Sequence, residues 1–353
     1  MQNFHDFKLA KYFPRLDGLR AVSVLLVVAY HSSVPALVAL NGRIGVTIFF
    51  VISGFLITTL LLREEEEDGR VSLRGFYLRR SFRILPLYYI ALGLSTLAVV
   101  LGFGDKSTNY WDRLPYFLTY MNELVGSGTF QHSWSLAIEE KFYLIWPALV
   151  FVMPLAVRRR RWIALVILVA TCSAGLFAPD GGYVGMYAPI IAGCFLAVVA
   201  NSPDGFRSIS FLSTSPGGLA LSALAVLSVF FSPESRTQVM GGLAFALAFP
   251  FLLFGDARLT GWLGHRWLTY IGRRAYAIYL FHPLVGKVVQ TVVHVERGPI
   301  FQWTHFAATL LLTVALAEVL HRGLEKPLHE KGKLLARKYS NKNVESRPLS
   351  QAH

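Results

Sequence analysis

Apolar runs of about 20 residues, the length a helix needs to cross the hydrocarbon core of a bilayer, follow one another along almost the whole of this chain. Bounded by charges, Gly and Pro, they predict spans at 19–40, 44–62, 84–103, 134–156, 162–179, 183–200, 216–232, 238–254, 266–286 and 301–322. Ten such helices consume about 200 residues of the 353, leaving loops and tails and no room for a large soluble domain. Apolar residues at 54 % and charged residues at 16 % agree with that reading, since soluble domains carry about 25 % charge. The expected fold is therefore all-α, a polytopic transmembrane helical bundle. Chemistry has to happen among its helices or at their ends.

The 34 Lys and Arg against 21 Asp and Glu report a membrane topology rather than nucleic-acid binding. Counted on alternate sides of the predicted spans, 27 fall on one side and 6 on the other, with Lys141 inside a span. The asymmetry places both termini in the cytoplasm. The opening residues carry charge throughout, so no cleavable signal peptide is expected. The run REEEED at 63–68 reads as a solvated loop face. The segment 104–133 reads as a long external loop in which RLPYFLTYMNEL has room for a short or re-entrant helix. Residues 331–353 read as a basic, disordered cytoplasmic tail. Cys172 and Cys194 lie in apolar runs and carry no disulfide or other assigned role.

Titratable groups inside spans are costly, so each calls for a partner or a task. Asp17 and Arg20 sit three apart on the first span, and His31 follows Arg20 by eleven positions. At about 100° per residue this returns to within about 20° of the same face, roughly 16 Å deeper. A buried His of this kind fits either a packing role or a proton acceptor. Ser53 and Gly54 interrupt the second span, fitting close helix approach or a cavity. Arg80 and Arg83 lie three apart before Pro86, and a planar guanidinium pair suits phosphate oxygens or a positive-inside anchor. In the fourth span Ser135, Glu139 and Tyr143 share a face, with Glu140 about 100° away. Tyr276, Tyr279 and His282 step by three along the ninth. The sequence has no phosphate-binding or dinucleotide-binding glycine loop, no pair of histidines at metal-ligand spacing and no nucleophile elbow, so no metal is expected.

Taken in order, these strings resemble the bacterial membrane acyltransferase family 3, integral-membrane O-acyltransferases of extracytoplasmic glycans and some small hydroxylated metabolites. Arg20 with His31, FFVISGFL at 49–56, Arg80 with Arg83, HSWSLAIEEKFY at 132–143, YAIYLFHP at 276–283 and EKP at 325–327 carry the likeness. It assigns residues 1–330 to one acyltransferase membrane domain. Lys141 stands where relatives commonly have Gln, and Ala275 where they commonly have Ser.

The resemblance implies a bacterial cytoplasmic-membrane enzyme that takes an acyl group, acetyl first among candidates, from cytoplasmic acyl-CoA. Arg20, Arg80 and Arg83, with help from Arg273 or Arg274, would bind the CoA phosphates. His31 would act as general base or acyl carrier, and Glu139 would orient it or bind the acceptor. Ser53, Ser135, Glu140, Tyr279 and His282 would line the substrate path. The implied acceptor is a glycan hydroxyl or a small hydroxylated compound. Some relatives carry a further soluble domain, so a separate envelope protein is a candidate partner. The competing class is a transporter or flippase that uses the same buried His, Glu and Arg as a path.

Overall fold

The computed structural model describes residues 4–10, 12–103, 109–151, 157–177, 183–230, 236–292 and 298–345. Every regular element among them is helical. The ends of three predicted spans, at 152–156, 178–179 and 231–232, lie outside the described residues, as does the tail from 346. In chain order the helices are α1 (Phe4–Leu9), α2 (Pro14–Tyr30), α3 (Pro35–Val38), α4 (Arg43–Asp68), α5 (Leu73–Val100), α6 (Tyr110–Leu118), α7 (Trp134–Phe151), α8 (Val157–Phe177) and α9 (Ala188–Ala200). They continue as α10 (Pro203–Thr214), α11 (Pro216–Phe230), α12 (Thr237–Phe254), α13 (Ala257–Thr260), α14 (Arg266–Arg273), α15 (Ala275–Val292), α16 (Pro299–Leu320) and α17 (Lys326–Glu345). Five stretches are long and apolar enough to cross a membrane, at 35–68, 73–100, 159–177, 183–200 and 299–338. A sixth arises if α12 and the helix bent 110° from it count as one. The other spans expected from sequence are shorter or more charged as helices. Helix α2 has 17 residues, and α7 carries Glu139, Glu140 and Lys141.

The helices begin and stop for local reasons. Pro14 opens α2, where its missing N–H costs nothing. The helix ends at Tyr30, not at 40 as the apolar run predicts. His31 caps it and Ser32 Oγ donates to the Ala29 carbonyl at 2.6 Å, turning the chain. Ser72 caps α5, accepting from the Gly75 N–H at 3.2 Å. Gly69, at φ +71°, closes α4 in the left-handed region that favours glycine.

Three expectations are corrected here. The REEEED run is no loop face but the last turns of α4. Glu64 accepts from Arg79 at 2.8 Å, Glu65 pairs with the buried Arg160, and Glu66 pairs with Lys8. Beside them Arg63 donates to the carbonyls of Phe7 and Ala10 at 2.5 and 2.6 Å. These acids neutralise cations on α1, α5 and α8 and tie the basic end of the bundle together. Residues 331–345 are not disordered either, because α17 continues through them and packs along α5, with Gly332 against Phe82. The predicted ninth span is two helices, α14 and α15, broken at Arg274.

Segment 104–133, where it is described, turns back into the bundle. Tyr77 on α5 donates to the Leu144 carbonyl of α7 at 2.7 Å, and eleven residues further Tyr88 donates to the Phe117 carbonyl at 2.8 Å. Asn122 donates to both Tyr88 Oη and Ser133 Oγ, at 3.2 and 2.6 Å. The antiparallel register puts the start of α7 level with Tyr88, about 18 Å short of the far end of α5. The chain from Tyr110 to Ser133 therefore folds back along α5, and it delivers His132 to the interior. Helices α4 and α9 meet backbone to backbone. A Cβ on Gly54 would lie 1.9 Å from the Ile190 carbonyl oxygen, and one on Gly193 would lie 2.1 Å from that of Val51. Gly54 thus takes the close-approach role, which sets Ser53 beside α7.

Candidate active site

At the centre of the bundle is a cavity of about 90 Å³ lined from α2, α4, α5, α7, α14 and α15. Its charged wall is Arg20, Arg80, Arg83 and Arg273, facing a single lining carboxylate, Glu139. Ser53, Ser135, Tyr276 and Tyr279 supply hydroxyls, and Phe49, Phe50 and Ile84 close it with apolar surface. Residues from five separate strings of the sequence thus meet in one space.

Each guanidinium is held differently. Arg20 donates to the buried Asp17 at 3.0 Å, and Asp17 also accepts from Tyr12 at 2.6 Å and faces Arg273 at 3.5 Å. Burial and then the Asp17 carboxylate raise the Tyr12 phenol above its ordinary range, so it stays a donor. Arg80 lies flat on the Tyr143 ring, 3.4 Å from its centroid, with Glu140 Oε1 3.9 Å from its Nε. Arg83 has no side-chain hydrogen bond or ion pair among the described residues, and Arg20 and Arg80 stand close enough to repel it. Asp17 backs Arg20 and Arg273, Glu140 stands by Arg80 and the Glu325 carboxylate acts on Arg83, so the cations are matched in part from behind, while Glu139 is the carboxylate that lines the cavity itself. Glu139 itself accepts from Ser53 Oγ at 2.7 Å.

Beyond Tyr279 lie three imidazoles. The rings of His31 and His282 are 5.0 Å apart, and those of His132 and His282 5.7 Å. Each spends one nitrogen on a backbone carbonyl. His31 Nδ1 bonds Val27 at 2.9 Å, His282 Nδ1 bonds Tyr279 at 2.7 Å, and His132 Nε2 bonds Leu280 at 3.1 Å. A carbonyl only accepts, so each of these nitrogens carries the hydrogen and the opposite nitrogen keeps a lone pair. The tyrosine is equally committed. Tyr279 Oη donates to the His132 carbonyl, and Ser135 Oγ therefore donates to Tyr279 Oη at 2.7 Å. His31 is exposed while His282 is buried at 1 %.

A family model described as an acyltransferase domain matches residues 13–322, which spans both the arginine-lined cavity and the histidines. The chain belongs to this acyltransferase family. Among curated proteins it is 32 % identical to the "Putative peptidoglycan O-acetyltransferase YrhL" of Bacillus subtilis, over 93 % of this chain and 57 % of that protein. It is 28 % identical to the peptidoglycan O-acetyltransferase OatA of Listeria monocytogenes, over 91 % of this chain and 56 % of that protein. The chain spans under three fifths of the length of these relatives. No solved structure matches.

Of the residues singled out in the acyltransferase strings, Arg20, Arg80, Arg83, Ser53, Ser135, Glu139 and Tyr279 line the one cavity. Glu140 does not; it stands on the far side of Arg80. His31 and His282 form the neighbouring imidazole group, and His31 sits at the end of α2 rather than within a long span. Glu139 is held by Ser53, not against His31, whose Nδ1 is taken by its own helix. Arg273 joins the cavity, whereas Arg274 is committed to Glu318 and the Tyr270 carbonyl. The unusual Lys141 leaves Glu140 alone and pairs with Glu123, which also accepts from Tyr183 at 2.6 Å. His132 is not singled out by the sequence, and Tyr276, named there beside Tyr279, is given no role although it lines the cavity. Both lie inside quoted strings, but helical spacing cannot place a residue carried by a fold-back. Among the described residues no group of His, Cys, Asp or Glu has metal-holding geometry.

Proposed function

We propose that this acyltransferase works within a bacterial cytoplasmic membrane, crossing it about ten times with both termini inside, and moves an acyl group from cytoplasmic acyl-CoA to an extracytoplasmic hydroxyl. The observation that carries the reading is the juxtaposition of two unlike groups on either side of Tyr279, which lines the cavity and stands against the histidine rings. Four guanidiniums line the cavity at the basic end, and three imidazoles with free lone pairs stand beyond Tyr279. Arg20, Arg80, Arg83 and Arg273 bind the phosphates of CoA, for which planar forked donors are suited. A cavity of about 90 Å³ has room for the acyl end of such a donor, with the nucleotide at the mouth.

His31 Nε2, free because Nδ1–H donates to Val27, takes the proton of the acceptor hydroxyl as its oxygen attacks the thioester carbon. The C–S bond then breaks and the thiolate receives the proton, giving ester and thiol. Glu139, fixed by Ser53, binds the donor arm or the acceptor; Ser135, Tyr279 and His282 shape the passage and Glu140 steadies Arg80. The names of the relatives favour acetyl as the acyl group and peptidoglycan or another envelope glycan as the acceptor. A small hydroxylated compound and a separate envelope protein that receives the acyl group are the alternatives.

The test uses purified protein in nanodiscs with acetyl-labelled acetyl-CoA. Wild type should bind and turn over the label, and His31→Ala should bind without turnover. Arg80→Ala/Arg83→Ala should lose binding. Neither binding nor consumption of acetyl-CoA, longer acyl-CoAs or dicarboxylic acyl-CoAs by wild type would refute the reading and favour a transporter.

A further inference from the structure

A second cavity, of about 830 Å³, is separate from the arginine-lined one and is walled by the start of α2, α10, the start of α11, the end of α12, and α13. That volume falls within the about 300–1,000 Å³ of small-molecule sites, and acyl transfer makes no use of it. The cavity belongs to the basic end of the bundle, because its wall residues Phe206 and Phe254 each pack on Phe7 of α1 with ring centroids 5.6 Å apart. In the topology proposed above that end faces the cytoplasm. Thr214, Arg258 and Leu259 carry the lining out to an exposed rim. On the same segments Phe211 and Trp262 are also exposed, as aromatic side chains at a membrane interface are.

The lining has two characters. Phe206, Leu219, Phe251, Phe254 and Leu259 make an apolar floor, which ordered water does not fill, since each water needs about two to four polar partners. Against the floor stand two guanidiniums. Arg15 spends Nη1 on the Leu253 and Gly255 carbonyls, at 3.0 and 2.8 Å, which leaves Nε and Nη2 without a partner among the described residues. Arg258 engages only its backbone N–H, which donates to Asp256 Oδ1 at 2.9 Å, and no described residue partners its guanidinium. The hydroxyls are in the opposite state. Ser210 Oγ donates to the Arg207 carbonyl at 2.9 Å, and Ser213 Oγ and Thr214 Oγ1 both donate to the Ser210 carbonyl, at 2.7 and 2.9 Å. With their protons spent, these oxygens and the Asp256 carboxylate offer lone pairs alone. Two arginines against one aspartate leave one formal positive charge on the lining, which matches a phosphodiester better than a doubly charged phosphomonoester. A ligand that satisfies every part of this lining needs a singly charged anion, hydroxyl donors and an apolar tail.

We propose that this cavity binds a phospholipid of the cytoplasmic leaflet that has a phosphodiester and a hydroxylated headgroup, of which phosphatidylglycerol is the simplest. The phosphodiester oxygens accept from Arg15 and Arg258. The headgroup hydroxyls donate to Asp256 and to the α10 hydroxyl oxygens, and the first part of an acyl chain lies on the apolar floor.

The test titrates delipidated protein in detergent with phosphatidylglycerol, phosphatidylmethanol and phosphatidylcholine of matched chains, and native mass spectrometry counts the lipid retained. One phosphatidylglycerol should bind about fivefold more tightly than phosphatidylmethanol, which has the same charge and no headgroup hydroxyl, and phosphatidylcholine should bind most weakly. Arg258→Gln should raise the phosphatidylglycerol Kd about tenfold and leave the thermal midpoint of the lipid-free protein unchanged, because its guanidinium has no protein partner. Arg207→Gln removes the same charge from the exposed face of α10, outside the lining, and should leave the Kd within about twofold. Equal affinity for phosphatidylglycerol and phosphatidylcholine would overturn the proposal, and so would equal losses from the two variants, which mark unspecific surface charge. Equal binding of phosphatidylglycerol and phosphatidylmethanol would overturn the headgroup assignment. Release of the lipid by inorganic phosphate would overturn the lipid in favour of a free anion. None of these readouts involves acyl transfer, so this site and the proposed reaction stand or fall separately.

Discussion

Gly54→Ala perturbs the contact on which the site geometry depends. The added Cβ would stand 1.9 Å from the Ile190 carbonyl oxygen, where ordinary contact begins at 3.4 Å, a shortfall of 1.5 Å against backbone that cannot rotate away. Helices α4 and α9 must separate by about that amount. Ser53 moves with α4, so its 2.7 Å bond to Glu139 is stretched beyond useful hydrogen-bond range. Overpacking of this kind costs about 1–3 kcal/mol, which corresponds to opening of the interface raised about 5- to 150-fold. A reporter is already present, since Cys194 is fully buried with its Sγ 3.6 Å from the Gly54 carbonyl. In a Cys172→Ser background, maleimide labelling of Cys194 should accelerate by that factor and acyl transfer should fall with it. Labelling as slow as in the parent, with unchanged turnover, would refute both the packing argument and its link to Glu139.

Three further outcomes are expected. Lys141→Met should lower stability by about 1–3 kcal/mol, because it leaves the Glu123 carboxylate with only the Tyr183 hydroxyl as partner; adding Glu123→Gln should recover much of it, and an additive thermal-midpoint cycle would show that the pair is uncoupled. Arg80→Lys keeps the charge but loses the flat contact with Tyr143, so the acetyl-CoA Kd should rise by about tenfold; an unchanged Kd measured by filter binding contradicts the phosphate role. Tyr279→Phe removes the donor to the His132 carbonyl and the acceptor for Ser135, and kcat should fall by about five- to tenfold at constant acetyl-CoA affinity; a rise in donor KM alone would move Tyr279 from the histidine group to the donor arm.

Much of the cavity was legible because it is built on helices. The four-residue step from Ser135 to Glu139 and the three-residue step from Arg80 to Arg83 do present those side chains to one space. Legibility failed where the chain leaves helical regularity or where a partner is remote in sequence. An apolar run says nothing about where a chain turns, so the end of α2 at Tyr30 was hidden and His31 was placed within a span instead of at its cap. REEEED reads as solvated until Arg79, Arg160 and Lys8 arrive from three other helices. The basic run after 330 reads as disordered because its support, α5, lies about 250 residues earlier. His132 depends on a fold-back held by Tyr88 and Asn122, a contact between helix α5 and the segment before α7 that no periodicity connects.

The central claim is that donor and acceptor enter the same site from opposite faces of the membrane, and sidedness in proteoliposomes tests it most directly. Protein inserted in one orientation is given acetyl-labelled acetyl-CoA on the face bearing Arg80 and Arg83, and a soluble acceptor glycoside only on the other. The account predicts labelled glycoside in the acceptor compartment, abolished by His31→Ala and by Arg80→Ala/Arg83→Ala. Transfer that occurs only when donor and acceptor share one compartment would contradict it.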